Sequence, residues 1–141
     1  MKNVLIDSGF WFALYKAKNH DQYYNHAKRI FGEYLDNVRV IIPFPTLYEV
    51  LNTRFMKNHL LKNDFDRILK RKNVKIISDE TIKEKALEIT FTEKSKKRNL
   101  SLVDNIIRLI LDDRNYKIDY LITFNKADFI DVCNNRNICI L

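Results

Sequence analysis

Glycine, proline and cysteine are scarce in this chain, whose 141 residues contain two of each. So few glycines leave no Gly-rich loop to cradle a nucleotide, and Ser8 has no glycine-flanked elbow. P-loop chemistry and nucleophilic serine chemistry are therefore excluded. Nothing Pro-, Gly- or Ser-rich marks a linker or a disordered tail, and no internal repeat is visible. Cys133 and Cys139 form no CxxC pattern and have no Cys/His company, while His20, His26 and His59 lack HxH or HExxH spacing. That pattern argues against a zinc site or a disulfide framework and predicts reduced thiols. Long hydrophobic runs are missing too. The apolar stretches 4–6 and 10–15 are separated at Asp7 and fall far short of the ~20 residues a membrane span needs. The opening run is also too short for the apolar core of a signal peptide. The expectation is a cytoplasmic protein with no membrane segment.

What the chain does contain suits one compact unit. Its length and 46% hydrophobic content predict a single domain over residues 1–141 with a real core. The formal net charge of +7 suits a polyanionic partner, because Lys and Arg that neutralise phosphates gain affinity by releasing counterions. A merely soluble basic surface is the alternative.

Apolar spacing alternates between strand and helix. Short runs rich in Val, Ile, Leu and aromatics predict strands at Asn3–Ile6, 38–42, Val74–Ile77, 120–124 and 138–141. Tyr23, Ala27, Ile30, Phe31, Tyr34 and Leu35 share one helix face, and Leu47, Val50, Leu51 and Phe55 share another. Phe65, Ile68 and Leu69 mark a shorter helix, and Ile82, Ala86 and Ile89 a long one over 79–98. Residues 102–111 leave little polar face and predict a helix buried on several sides. This order implies right-handed crossovers and a three-layer α/β/α fold around a mainly parallel sheet of four to five strands.

Asp7 ends the first strand, where open parallel sheets bind ligands in the crevice beyond the carboxyl ends of their strands. Three further segments each place an acid three positions after a cap residue. They are Thr46-Leu47-Tyr48-Glu49, Ser101-Leu102-Val103-Asp104 and Asn125-Lys126-Ala127-Asp128. Each alone fits a capping box, and acids there also gain from the helix dipole, so stability is a sufficient reason for any one of them. Their joint placement suggests more. If strand order brings them together, like charges so close need a cation to stay ionised. Magnesium suits such a site, since it takes oxygen ligands and keeps waters for use with phosphate substrates.

The segments Leu5-Ile6-Asp7-Ser8, Pro45-Thr46-Leu47-Tyr48-Glu49-Val50, Leu100-Ser101-Leu102-Val103-Asp104 and residues 121–129 resemble, in order and spacing, the signature motifs of PIN-domain nucleases. Within that family the resemblance is to VapC-type toxins of prokaryotic toxin–antitoxin pairs. It implies a PIN-like domain and a Mg2+- or Mn2+-dependent endoribonuclease, the toxin of a type II pair. Asp7, Glu49 and Asp104 match the family's three most constant acids as catalytic metal ligands. Asn125 stands where a fourth acid is usual; it still offers an oxygen but removes a charge. Asp128 either compensates for it as a ligand or serves as a cap partner of Asn125. Ser8, Ser101 and Thr123 match small hydroxyl residues that would orient carboxylates or touch a phosphate. The resemblance also implies an RNA substrate, a cognate antitoxin and a homodimer. Two other readings stay open, a housekeeping RNA-processing nuclease and a catalytically weak PIN module that binds RNA or protein. A phosphoacceptor receiver domain is disfavoured because Asp7 lacks an acidic neighbour.

Two basic clusters, Lys70-Arg71-Lys72 and residues 94–98, fall at predicted helix ends, where cations complement the dipole or contact RNA. The aromatic stretch Phe10-Trp11-Phe12 with Tyr15, Tyr23 and Tyr24 is either core or an exposed association patch.

Overall fold

The computed structural model describes residues 1–16 and 22–141, so His20 lies outside the described residues. Strands β1 (Asn3–Ile6), β2 (Arg39–Pro43), β3 (Val74–Ile77), β4 (Tyr120–Ile122) and β5 (Cys139–Ile140) form one sheet in the order β3-β2-β1-β4-β5. Every pairing is parallel. Helices α1 (Ser8–Tyr15), α2 (Gln22–Glu33), α3 (Phe44–Leu51) and α4 (His59–Leu69) precede β3, and α5 (Lys83–Thr90), α6 (Glu93–Lys97), α7 (Leu102–Asp112) and α8 (Ile130–Arg136) follow it.

Strand side chains alternate between faces, and each face has its own core. Val4, Ile6, Val40 and Ile42 pack with Phe10, Trp11, Ala27, Ile30, Val50 and Phe65 from the first four helices. On the other face Leu5, Ile41 and Leu121 meet Ala86, Ile106, Ile107, Ile110, Phe129 and Val132. The result is the expected α/β/α sandwich. Each fully buried Leu, Ile or Phe in these layers contributes about 1.5–3 kcal/mol. The Phe10–Tyr15 stretch belongs to this core: Trp11 meets Phe10 and Phe65 edge-on at 5.0 and 5.2 Å. The association patch is thereby overturned for Phe10, Trp11 and Tyr15, all buried.

Several boundaries differ from expectation. The single helix over 79–98 is broken, because residues 79–82 turn before α5 and Thr90 and Thr92 divide the rest. Thr90 Oγ1 donates to the Ala86 carbonyl, and Thr92 Oγ1 donates to the Ile89 carbonyl while accepting from Ser95 N–H to cap α6. Such hydroxyls compete with the helix's own bonds. β4 stops at Ile122, since Thr123 turns its hydroxyl to Asp7. α7 lies between α5 and α8 with Asn105, Ile106, Ile107, Ile110 and Leu111 buried, whereas Leu102 stays exposed. α1 is apolar nearly throughout, so no period distinguishes it in the sequence.

Both cysteines are free, and burial pushes the Cys133 thiol up to about 11. No helix among the described residues is long and apolar enough to cross a membrane.

Candidate active site

Strand order decides whether the acids meet. β1 is central, with β2 and β4 on its two sides, so the segments after these three strands emerge along one edge of the sheet. Ile6 pairs with Ile122, which sets Asp7 beside Thr123, and the Asp7 amide donates to the Ile122 carbonyl at 3.0 Å.

Asp7 is 5% exposed. It is a helix cap: Oδ1 accepts from the Ser8 amide at 2.8 Å at the start of α1. Its second oxygen, Oδ2, accepts from Thr123 Oγ1 at 2.9 Å, and that hydroxyl accepts in turn from the Asn125 amide at 3.0 Å. Burial nevertheless raises the Asp7 pKa above the ordinary carboxylate value. The Thr123 and Ser8 bonds pull it down, and the charge of Asp104 pushes it up again.

Glu49 reaches the same place by a route the sequence pattern hides. Pro43, not Thr46, holds the N-cap position of α3, and Pro45 sits in the first turn, where its missing N–H costs nothing. Thr46 is therefore inside the helix and buried, and the expected Thr46–Glu49 capping box does not form. Glu49 lies half-buried in the second turn. Burial raises its pKa, a hydrogen bond from Ser8 opposes this, and the charges of Asp7 and Asp104 add to the rise.

Asp104 is both cap and cluster member. Ser101 and Asp104 form a reciprocal capping box, Asp104 N–H to Ser101 Oγ at 3.0 Å and Ser101 N–H to Asp104 Oδ2 at 2.9 Å. The same carboxylate is close enough to raise the pKa of Asp7, Glu49 and Asp128. Ser101 meets the Asp104 carboxylate through its backbone N–H, as Ser8 meets Asp7, whereas the Thr123 hydroxyl itself donates to Asp7.

The Asn125 segment is a short 3-10 turn, Lys126–Asp128, with no side-chain cap from Asn125. The Asp128 amide bonds the Asn125 backbone carbonyl at 3.1 Å. A tight turn satisfies these groups through the backbone, so Asp128 is not a cap partner of Asn125 and that alternative is overturned. Burial raises the Asp128 pKa, Asp104 raises it further, and Arg98 and Arg108 offset both. Asn125 itself is exposed.

Two residues that no sequence pattern marked, Arg108 and Asp131, hold this turn together with Arg98. Arg108 grips Asp131 through two bonds of 2.7 and 2.8 Å and donates to the Asp128 carbonyl at 2.7 Å. Arg98 adds bonds to Asp131 and to the Ala127 carbonyl. The guanidinium of Arg108 holds the Asp131 carboxyl well below the usual range. Arg98 belonged to a noticed basic cluster, but Arg108 and Asp131 lie 23 residues apart, and no local pattern links them. In the other cluster Arg71 pairs with Asp36 and covers the Phe31 ring, while Lys70 pairs with Asp66. These pairings tie Lys70, Arg71 and Arg98 to the protein's own groups.

Among the described residues, no three His, Cys, Asp or Glu side chains form a ready-made metal cage. Mg2+ does not require one, since it is held by one or two direct carboxylates and retains waters. Carboxylates from separate elements, with Asp104 raising the pKa of Asp7, Glu49 and Asp128, are an oxygen-only donor set with unbalanced charge, and they fit a hydrated hard cation.

The fold is that of VapC20. Over 91% of this chain and 94% of that one, the structure matches Mycobacterium tuberculosis VapC20, a Sarcin-Ricin loop cleaving toxin, with a TM-score of 0.69 at 20% identity. Identity this low carries the fold alone. No protein-family model matches the chain, and no curated protein matches it by sequence. The three-layer α/β/α architecture around a parallel sheet, expected from the sequence, is thus the one observed, and VapC20 shares it along nearly its whole length.

Proposed function

We propose that the protein is a divalent-metal-dependent endoribonuclease that hydrolyses RNA phosphodiester bonds, the toxin of a type II toxin–antitoxin pair. The observation that carries this reading is that the charge of Asp104 bears on both Asp7 and Glu49, and that of Asp7 on Glu49, although the three come from separate elements of the chain. The fold shared with a Sarcin-Ricin loop cleaving toxin supports it.

In this reading Asp7, Glu49 and Asp104 hold Mg2+ or Mn2+, with the Asn125 oxygen and Asp128 beside them. When bound, such an ion supplies Lewis acidity toward water and toward the phosphate oxygens. The chain's residues do the rest. Ser8 and Thr123 fix both oxygens of Asp7, and Ser101 fixes one oxygen of Asp104. The raised pKa of Glu49 belongs to the metal-free site, where burial and the charges of Asp7 and Asp104 disfavour its ionised form, and a cation there would offset both. The net charge of +7 favours approach of the polyanion. One domain over 1–141, acting in the cytoplasm, completes the proposal. A cognate antitoxin and a second copy of the chain are its protein partners, and the exposed Phe44, Tyr48 and Leu51 of α3 give them an apolar face.

The neutral, exposed Asn125 favours a second reading, a PIN-like module that binds RNA without cleaving it. A cleavage assay on structured and single-stranded RNAs, with EDTA and with Asp7→Asn and Asp104→Asn, separates the two. Metal-dependent cleavage lost in both variants supports the nuclease, and cleavage retained in both sinks it. A small adjacent gene encoding a DNA-binding antitoxin distinguishes the toxin from a housekeeping nuclease.

A further inference from the structure

A cavity of about 800 Å³ opens beside the carboxylates, with Tyr23, His26, Phe124, Asn125, Lys126 and Asp128 among its lining. Its size falls within the range of small-molecule sites. Thr123 belongs to both places: it lines the cavity, and its hydroxyl donates to Asp7. Whatever occupies the cavity is therefore next to whatever binds at the acids. Three rings gather at this point. The Tyr23 and Phe124 centroids are 4.9 Å apart with the planes at 63°, and His26 lies 6.0 Å from Phe124 at 59°. Rings that meet at such an angle form a corner, where a planar group laid on one ring meets the edge of the other. Core packing does not explain Tyr23, which is 49% exposed.

We propose that this corner is a subsite for one unstacked nucleobase of the RNA, adjacent to the acid cluster of Asp7, Glu49 and Asp104. The inference rests on the nuclease reading for the identity of the polymer. Every base presents a π-face, so aromatic stacking accepts a base without demanding one sequence. Asn125 and Asp128 add polar groups that can meet base edges, and the exposed Lys126 can meet a neighbouring phosphate. A base can enter only if it is splayed out of a helix. The substrate class is then single-stranded or looped RNA in preference to continuous duplex.

The test uses short single-stranded RNAs in which one nucleotide at a time is made abasic. Binding to the full chain is measured by fluorescence anisotropy in EDTA, and cleavage is measured separately in Mg2+. Removal of the base at one position is expected to weaken wild-type binding roughly tenfold. The same removal should cost nothing further in Tyr23→Leu or Phe124→Leu, which keep apolar bulk but lose the aromatic face. Circular dichroism checks that both variants fold, and His26→Ala offers a third probe that leaves the Tyr23–Phe124 contact in place. Metal-dependent cleavage with no position-specific base effect overturns the subsite and leaves the nuclease reading standing. A base effect lost in the variants, without cleavage, keeps the subsite and sinks the nuclease. Absence of both overturns both.

Discussion

Thr123 Oγ1 donates to Asp7 Oδ2 at 2.9 Å across the adjacent strands β4 and β1, joining residues 116 apart in the chain. The same hydroxyl accepts from the Asn125 amide, so one side chain fixes both the buried carboxylate and the turn that follows. Thr123→Val keeps the shape and removes both bonds. Loss of a buried hydrogen-bond partner of a charged group costs about 1–3 kcal/mol. The missing bond stabilises ionised Asp7, so its pKa should rise further. The penalty should be largest at neutral pH and shrink as acid protonates Asp7. Urea denaturation at pH 7 and pH 4.5 measures it, and Thr123→Ser should recover most of the loss.

Asp7→Asn separates stability from activity. A carboxylate whose folded pKa is raised by burial binds its proton more tightly in the native state, so stability falls as pH rises from the unfolded value through the raised one. Above that window Asp7 is a net liability in the metal-free protein. An asparagine keeps an oxygen for the Ser8 amide without the charge. Metal-free Asp7→Asn should gain about 1 kcal/mol at pH 7, roughly 4 °C in Tm, while cleavage disappears. A loss of stability at pH 7 would show that the hydrogen bonds to Asp7 outweigh its desolvation.

The Arg108–Asp131 pair offers a different sign. Asp131 is held low by Arg108, so its contribution is present above the unfolded pKa and fades only as pH falls through the depressed folded value. The Asp131 side chain is 44% exposed, and solvent screening limits the effect of Asp131→Asn to about 1 kcal/mol. Raising salt to 1 M should reduce the difference from wild type, because screening at that strength acts within about 3 Å. Arg108→Lys loses the paired grip on Asp131 and weakens the hold on the Asp128 carbonyl. Its RNA cleavage rate should fall severalfold while the fold, read by circular dichroism, remains. An unchanged rate would mean that the turn needs no such anchor.

The α/β/α class was readable because Val4, Leu5 and Ile6 supply a short apolar run buried on both sheet faces, and because α2 and α4 keep a clear helical period. The convergence of the acids was not. Whether Asp7, Glu49 and Asp104 meet depends on strand order, which no residue spacing encodes. The capping pattern was correct at Ser101–Asp104 but failed at Thr46 and Asn125. In one case Pro45 lets α3 begin earlier, and in the other a backbone turn replaces the side-chain cap. A pattern of two residue types cannot register either event. Arg108 and Asp131 stayed hidden because their pairing is tertiary.

Metal binding should appear in stability as well as in activity. Asp7, Glu49 and Asp128 all have raised pKa values, so protons compete with a cation for these oxygens. Affinity for Mg2+ should therefore climb with pH through the mildly acidic range above the ordinary carboxylate values, then level once the acids are ionised. At pH 7.5 and a Mg2+ concentration about ten times its Kd, binding to the native state alone stabilises by about 1.4 kcal/mol. For a chain of 141 residues that is a rise in Tm of roughly 5 °C. The rise should vanish at pH 4.5 and in Asp7→Asn, and Ca2+ should produce part of it without supporting cleavage. Differential scanning fluorimetry across pH, with and without each ion, gives the result directly. An equal Tm shift in Asp7→Asn would place the ion elsewhere and remove Asp7 from the ligand set.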